Sequence, residues 1–298
     1  MSFRPLLGAK VEDVYSLQYP LFASYKLDGI RAGWEHKEFL SRTRKTIPNR
    51  QLQRIASSLN LPSGLDGELI IGDASSPDTF RETTSYCMSE HTVLLQTAIR
   101  FFVFDNYELP GDFASRYAAL HDIFPLVVRL DQFICDRAED VLELETTALA
   151  AGYEGLVLRS PTGRYKQGRS TLREQYLLKL KRFTDAEARV IGFEELHHNA
   201  NEAKVDERGY TKRSSHAENK LPMGTLGALV CEMGEVVFRL GTGFKSNDRE
   251  FIWRHRDKYL GRFAKFKYQT SGAKAIDAGG TGLRPPYVWL GWRDEIDF

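Results

Sequence analysis

Near residue 183 the chain changes texture, and that change limits the architectures open to it. Before it, strand-like and helix-like segments interleave. LFASY (21–25), IRAGW (30–34), FLSR (39–42), LDGELIIG (65–72), RFFVFDNYELPG (100–111), LVVRLDQFI (126–134), GLVLRSP (155–161) and YLLKLKRF (176–183) are rich in β-branched and aromatic residues. Residues 49–60, 77–89, 112–124 and 137–151 carry helical spacing or helix start and stop signals, such as Asn49 before and Pro62 after the first of them. No regular βαβ repeat links them, so the spacing predicts an α+β domain. Beyond 183 come ARVIGFEEL, LGALVCEM, EVVFRLGTGF, RFAKFKYQTS and PYVWLGWRD, with one helix expected over 246–260. Five strands and one helix in that length predict a small closed β-barrel. The expected division is therefore 1–183 and 184–298, with polar 197–224 and glycine-rich 271–282 as loops.

Composition excludes little. A 298-residue chain with 42% hydrophobic and 27% charged residues has enough apolar material for two cores. No apolar run approaches the ~20 residues of a membrane span, and the N-terminus lacks a secretion-signal core. Cys87, Cys135 and Cys231 are scattered, as expected of a chain in a reducing compartment. Net charge is only +1, but its distribution is uneven. Residues 159–182 hold Arg159, Arg164, Lys166, Arg169, Arg173, Lys179, Lys181 and Arg182 against one acid, Glu174. Such a stripe suits a polyanion, although solvated surface cations give the same pattern.

Three sites concentrate polar residues inside apolar strands. Lys26-Leu27-Asp28-Gly29-Ile30-Arg31 lies where LFASY meets IRAGW, which reads as two strands joined at a turn. A lysine there is a nucleophile if burial and neighbouring cations release its proton, or merely a solvated lysine beside a turn. Asp66 and Glu68 sit in LDGELIIG, and Glu154 opens EGLVLR. Carboxylates in such strands need a cation or a donor, so Glu68 and Glu154 are candidate Mg²⁺ ligands or halves of salt bridges. In YLLKLKRF, strand alternation puts Lys179 and Lys181 on one face, where two cations favour an anion such as a triphosphate between them.

The order KLDGIR, SRTRKTIPN, DGELI, FFVFDNYELPG, EGLVLR, YLLKLK, GLRPPYVWLGWRD resembles the motif series of the covalent nucleotidyltransferases, in particular ATP-dependent DNA ligases of the small bacteriophage type. The resemblance runs from about residue 20 to the C-terminus. It implies an adenylation domain of antiparallel sheets with flanking helices, followed by an OB-fold, and it implies ATP, Mg²⁺ and nicked duplex DNA as ligands. Lys26 matches the lysine that attacks the α-phosphate. Arg31 and Arg42 match arginines that hold ribose or nucleic-acid phosphate. Glu68 matches the acid near ribose and metal, and Glu154 the second acid at the metal. Phe104 matches the aromatic that stacks on adenine, and Lys179 and Lys181 the phosphate-contacting pair. Arg284 and Arg293 match the C-terminal barrel motif.

Three departures stand out. Arg293-Asp294-Glu295 ends that last motif in an acid where many relatives have a lysine. Ser24 occupies a position where many ligases carry an acid. Only 25 residues precede Lys26, so no separate N-terminal DNA-binding domain is expected. DNA contact is then expected from Arg42, Arg159, Lys166, Arg169, Arg284, Arg293, the loop 197–224, and Arg249, Arg254, Arg256, Lys258, Arg262, Lys265 and Lys267. The overall expectation is a monomeric cytoplasmic enzyme (host cytoplasm for a virus). An RNA ligase, an mRNA-capping guanylyltransferase and a decayed DNA-binding module share enough of these features to stand as alternatives.

Overall fold

The computed structural model describes residues 4–95, 98–199, 203–205, 211–213, 220–270 and 283–293. These fall into two compact units, one within 4–182 and one within 183–293.

In chain order the first unit contains β1 (Leu6–Leu7), β2 (Ala9–Val11), β3 (Leu21–Tyr25), β4 (Ile30–Glu35), β5 (Glu38–Ser41), α1 (Arg50–Ser58), β6 (Leu65–Ile71) and α2 (Thr79–Cys87). It continues through β7 (Ile99–Asn106), α3 (Phe113–Ala118), β8 (Val127–Arg129), β9 (Phe133–Cys135), α4 (Ala138–Ala150), β10 (Leu156–Arg159), β11 (Gly168–Arg169) and β12 (Leu178–Leu180). Two five-stranded sheets dominate, ordered β2-β12-β10-β3-β9 and β5-β4-β6-β7-β8. Both are antiparallel except at one edge, where β2 runs parallel to β12 and β8 parallel to β7. The sheets are thus mixed rather than purely antiparallel.

Alternation explains the layering. In the first sheet Leu21, Ala23, Leu156, Leu158, Leu178 and Leu180 point to one core with Val141 and Ala148 of α4. In the second, Ile30, Ala32, Trp34, Leu69, Phe101 and Val103 point to another with Leu52 of α1 and Tyr86 of α2. The opposite faces carry Ser24, Val157, Arg159 and Lys179 on one sheet and Arg31, Glu68 and Phe104 on the other, and these line a shared cavity. Asn49 secures α1: its side-chain oxygen accepts from Leu52 N at 2.8 Å, and its amide donates to the carbonyls of Tyr86, Ser89 and Thr92.

Two sequence expectations fail at the same kind of place. LFASY and IRAGW are not a hairpin, because β3 belongs to the first sheet and β4 to the second. LVVRLDQFI is not one strand, because it breaks into β8 in the second sheet and β9 in the first. Residues 26–29 and 130–132 are therefore crossings between sheets. The helix expected over 112–124 stops at Ala118, and Ile123 instead bridges to Val127 as the chain turns at Pro125 into β8.

The second unit contains β13 (Thr184–Asn199), β14 (Ala203–Val205), β15 (Thr211–Arg213), β16 (Lys220–Met233), β17 (Val236–Leu240), α5 (Ser246–Arg254), α6 (Arg256–Tyr259), β18 (Phe263–Thr270) and β19 (Leu283–Trp292). The five strands read from the sequence form one antiparallel sheet, β17-β16-β13-β18-β19, over a core that includes Val190, Leu229, Leu240, Ile252 and Phe266. The sheet's edges meet only at the bridge Thr242↔Val288, so no closed barrel forms among the described residues. The bridge falls past the end of β17, at Thr242, opposite the middle of β19. The helix expected over 246–260 is interrupted at His255, after which Tyr259 stacks on Trp292 with ring centroids 4.5 Å apart. Of the segment 197–224, residues 203–205 and 211–213 pair as β14 and β15, and much of the remainder lies outside the described residues, as does 271–282.

Candidate active site

The cavity between the sheets of the first unit has a volume of about 320 Å³. The crossing at 26–29 forms one wall. Lys26 N donates to Gly155 O at 2.9 Å, which fixes the end of β3 beside β10. Gly29 is where the chain presses against β6: a Cβ there would overlap the Leu69 carbonyl oxygen. Lys26 and Arg31 thereby enter the cavity from either end of the crossing.

Lys26 Nζ is ion-paired with Glu154 Oε2, and Lys181 Nζ reaches the same oxygen at 3.0 Å. Gly155 places this carboxylate, at a φ of +138° that L side chains rarely adopt. Glu154 and Lys181 stand behind Lys26, outside the cavity lining, so the pair Lys179 and Lys181 divides. Lys179 lines the cavity, and Lys181 neutralises Glu154. Burial, with Lys26 and Arg31 adding repulsion, lowers the pKa of Lys179 to about 8.

Arg31 is held rigidly. Its Nε and Nη2 donate to the two oxygens of Asp66 at 2.7 and 2.6 Å, Nη2 also reaches Leu6 O, and the Tyr165 hydroxyl donates to Asp66 at 2.7 Å. Despite burial, the guanidinium's pKa is raised by Asp66. Directly across from Arg31 in the β4–β6 register, Glu68 lines the cavity and makes no hydrogen bond or ion pair among the described residues. Burial raises its pKa to about 7 in spite of Arg31 and Lys26.

Phe104 reaches the cavity through a β-bulge. Asp66 pairs with Asp105 and Gly67 with Val103, leaving Phe104 as the extra residue. Its ring lies 4.8 Å from the Arg31 guanidinium and 5.3 Å from that of Arg159. The same bulge turns Asp105 inward, where it accepts from Arg116 Nε at 2.8 Å and Arg159 Nη1 at 2.5 Å. All three groups are at most 2% exposed. Burial alone would raise the carboxyl's pKa, but the two guanidiniums hold it below its ordinary value.

Sequence-predicted residues therefore separate into groups. Lys26, Arg31, Arg42, Glu68, Phe104, Arg159 and Lys179 line one cavity. Arg159 was expected on a DNA-facing surface; instead it is buried between the sheets, because β10 turns it toward Asp105. Lys166 pairs with Glu174 at 2.8 Å, and Arg169 donates to Gly8 O at 2.7 Å. In the second unit Arg249 donates to the carbonyls of Leu226, Gly227 and Gly241, a structural role. Arg293 lies 3.6 Å from Glu187 and over the Phe263 ring. The backbone of Arg284 pairs with Gln269, while its side chain, Asp294 and Glu295 lie outside the described residues. The sequence did not single out Asp105, Arg116, Tyr165 or Gln132. Asp105 carried a signal as a carboxylate in an apolar strand; the other three carried none.

A cavity holding five cationic side chains, one unsatisfied carboxylate and an aromatic ring fits a nucleotide with several phosphates. Residues 8–181 match the family model described as ATP dependent DNA ligase domain, and the chain belongs to that family. It is 27% identical over 238 residues to a DNA ligase of Haemophilus influenzae, covering 76% of this chain and 74% of that one. It is 29% identical over 164 residues to a DNA ligase of Haloarcula marismortui, covering 49% of this chain but 30% of that larger protein. Among solved structures, a Chlorella virus DNA ligase-adenylate is 30% identical with a TM-score of 0.54, covering 99% of each chain. A Lig E DNA ligase shares the fold at a TM-score of 0.70, with 24% identity, covering 98% of this chain and 100% of that one.

Proposed function

We propose that this protein is an ATP-dependent DNA ligase that seals nicks in duplex DNA through an adenylate on Lys26. The observation that carries this reading is the placement of Lys26 in the wall of a cation-rich cavity, its amine held by a carboxylate that Lys181 shares. Lys26 Nζ attacks the α-phosphorus of ATP, the P–N bond forms as the bond to pyrophosphate breaks, and the amine gives up its proton to water; Glu154 is placed to orient the amine. Lys179, Arg31 and Arg42 offset charge on the phosphates. AMP then passes to the 5′-phosphate of a nick, and the 3′-hydroxyl displaces it as the phosphodiester forms. Phe104 provides the ring on which adenine stacks.

Glu68 suits a divalent cation: its carboxylate faces the cavity with no hydrogen bond or ion pair among the described residues, and burial opposes its charge more than Arg31, Lys26 and Lys179 favour it. Mg²⁺ binds through one or two carboxylates with water and phosphate oxygens completing the shell, so the absence of any cluster of three or more acidic, His or Cys ligands among the described residues is no obstacle. Once bound, the ion neutralises phosphate charge. Glu154 belongs to this set only when Lys26 releases it.

Residues 1–183 serve in this reading as the adenylation domain and 184–298 as an OB-fold domain. Support for the latter is the curled five-stranded sheet and its single edge-to-edge bridge. Arg42, Lys166, Arg169, Arg284, Arg293 and the segment 197–224 are assigned to the duplex, and the enzyme is assigned as a cytoplasmic monomer. No helix among the described residues is long and apolar enough to cross a membrane. The test is direct. Folded protein incubated with ATP and Mg²⁺ should gain the mass of one adenylate and seal a nicked duplex, and Lys26→Ala should do neither. Labelling by GTP in place of ATP, or sealing confined to an RNA nick, would overturn the assignment.

A further inference from the structure

The crossing at 130–132 brings a lone acceptor to the cavity. Gln132 Oε1 is fully buried, has no hydrogen-bond partner among the described residues, and belongs to a residue that lines the cavity. A buried amide oxygen left unpaired costs roughly 1–3 kcal/mol, a penalty that a donor from a ligand removes. Parity fixes where it points. Ala23 pairs with Phe133, so the antiparallel count places Gln132 beside Ser24, on the cavity face and two residues along the strand from Lys26. Two residues of strand span about 6.6 Å, and the neighbouring strand adds roughly 4.8 Å sideways. Gln132 is thus displaced from the amine that marks the α-phosphate. Leu130, two residues before Gln132 in the same crossing, and Val157, on the far side of Ser24, are apolar, and Ser24 itself is uncharged, a lining that suits a base better than a phosphate.

We propose that Gln132 reads the purine: its side-chain oxygen accepts from the exocyclic amine of adenine and so sets the preference for ATP. This rests on the reading that Lys26 becomes adenylylated. Self-adenylylation is to be measured by intact mass and rate with ATP, with 2′-deoxy-ATP, and with purine riboside triphosphate, which lacks only the exocyclic amine. Wild-type protein should prefer ATP over purine riboside triphosphate by about tenfold in kcat/KM, the worth of one hydrogen bond to a buried partner. In Gln132→Leu, ATP should fall to the level of the analogue, and in Gln132→Glu, whose carboxylate still accepts, the preference for ATP should persist. Deoxy-ATP should follow ATP in every variant. Equal losses on ATP and the analogue, no loss on either, or a lost distinction between ATP and deoxy-ATP would overturn the inference while leaving the ligase reading intact. Failure of the wild-type protein to form any adenylate would overturn the ligase reading, and this one with it.

Discussion

Replacing Glu68 with Gln separates what this carboxylate does for catalysis from what it does to stability. Burial lifts its pKa from 4.5 to about 7, a rise equivalent to about 3 kcal/mol against the charged form. The folded protein therefore binds a proton here that the unfolded chain has released between pH 4.5 and 7. Stability from this group is complete below pH 4.5, declines as pH rises, and is lost above about 7. Glutamine is never charged and lacks this dependence. Urea unfolding of wild type and Glu68→Gln in the absence of nucleotide, at pH 5 and pH 8, should give a difference between the two proteins that shifts by about 3 kcal/mol toward the variant at pH 8. Nick sealing should at the same time drop at least a hundredfold, since the variant cannot hold a divalent cation beside the phosphates. Parallel stability curves for the two proteins would refute the claim that the charged carboxylate is held at a cost, and with it the reason to expect a cation there.

Asp105→Asn removes the charge that balances buried Arg116 and Arg159, and should destabilise the first unit by about 3–5 kcal/mol, read as a lowered urea midpoint. Gly29→Ala puts a methyl into the Leu69 carbonyl and should lower self-adenylylation strongly while leaving the far-UV circular dichroism unchanged. In the nucleotide-free protein, kcat/KM for self-adenylylation should rise through pH ~7 as Glu68 ionises and fall through pH ~8 as Lys179 loses its proton; a flat profile from pH 6 to 9 would count against both assignments.

The sequence alone determined which segments alternate and which residue types sit among them. Asn49 marked a helix start, LDGELIIG and EGLVLR placed carboxylates in apolar strands, and YLLKLK put its lysines on one face, because capping and two-residue periodicity are local properties of the chain. Only the tertiary structure decided which strands are neighbours. Alternation reports that a face is buried and is silent about what lies across from it. The same pattern is therefore compatible with a hairpin at Asp28-Gly29 and with a crossing between two sheets, and equally with one long strand over 126–134 and with two short ones in different sheets. The crossings bring Lys26 and Gln132 to one cavity, and a one-residue bulge delivers Phe104 to it while burying Asp105. Arg159 looked like part of a basic surface stripe because its partner Asp105 lies 54 residues away in sequence, a pairing that exists only once two sheets pack face to face.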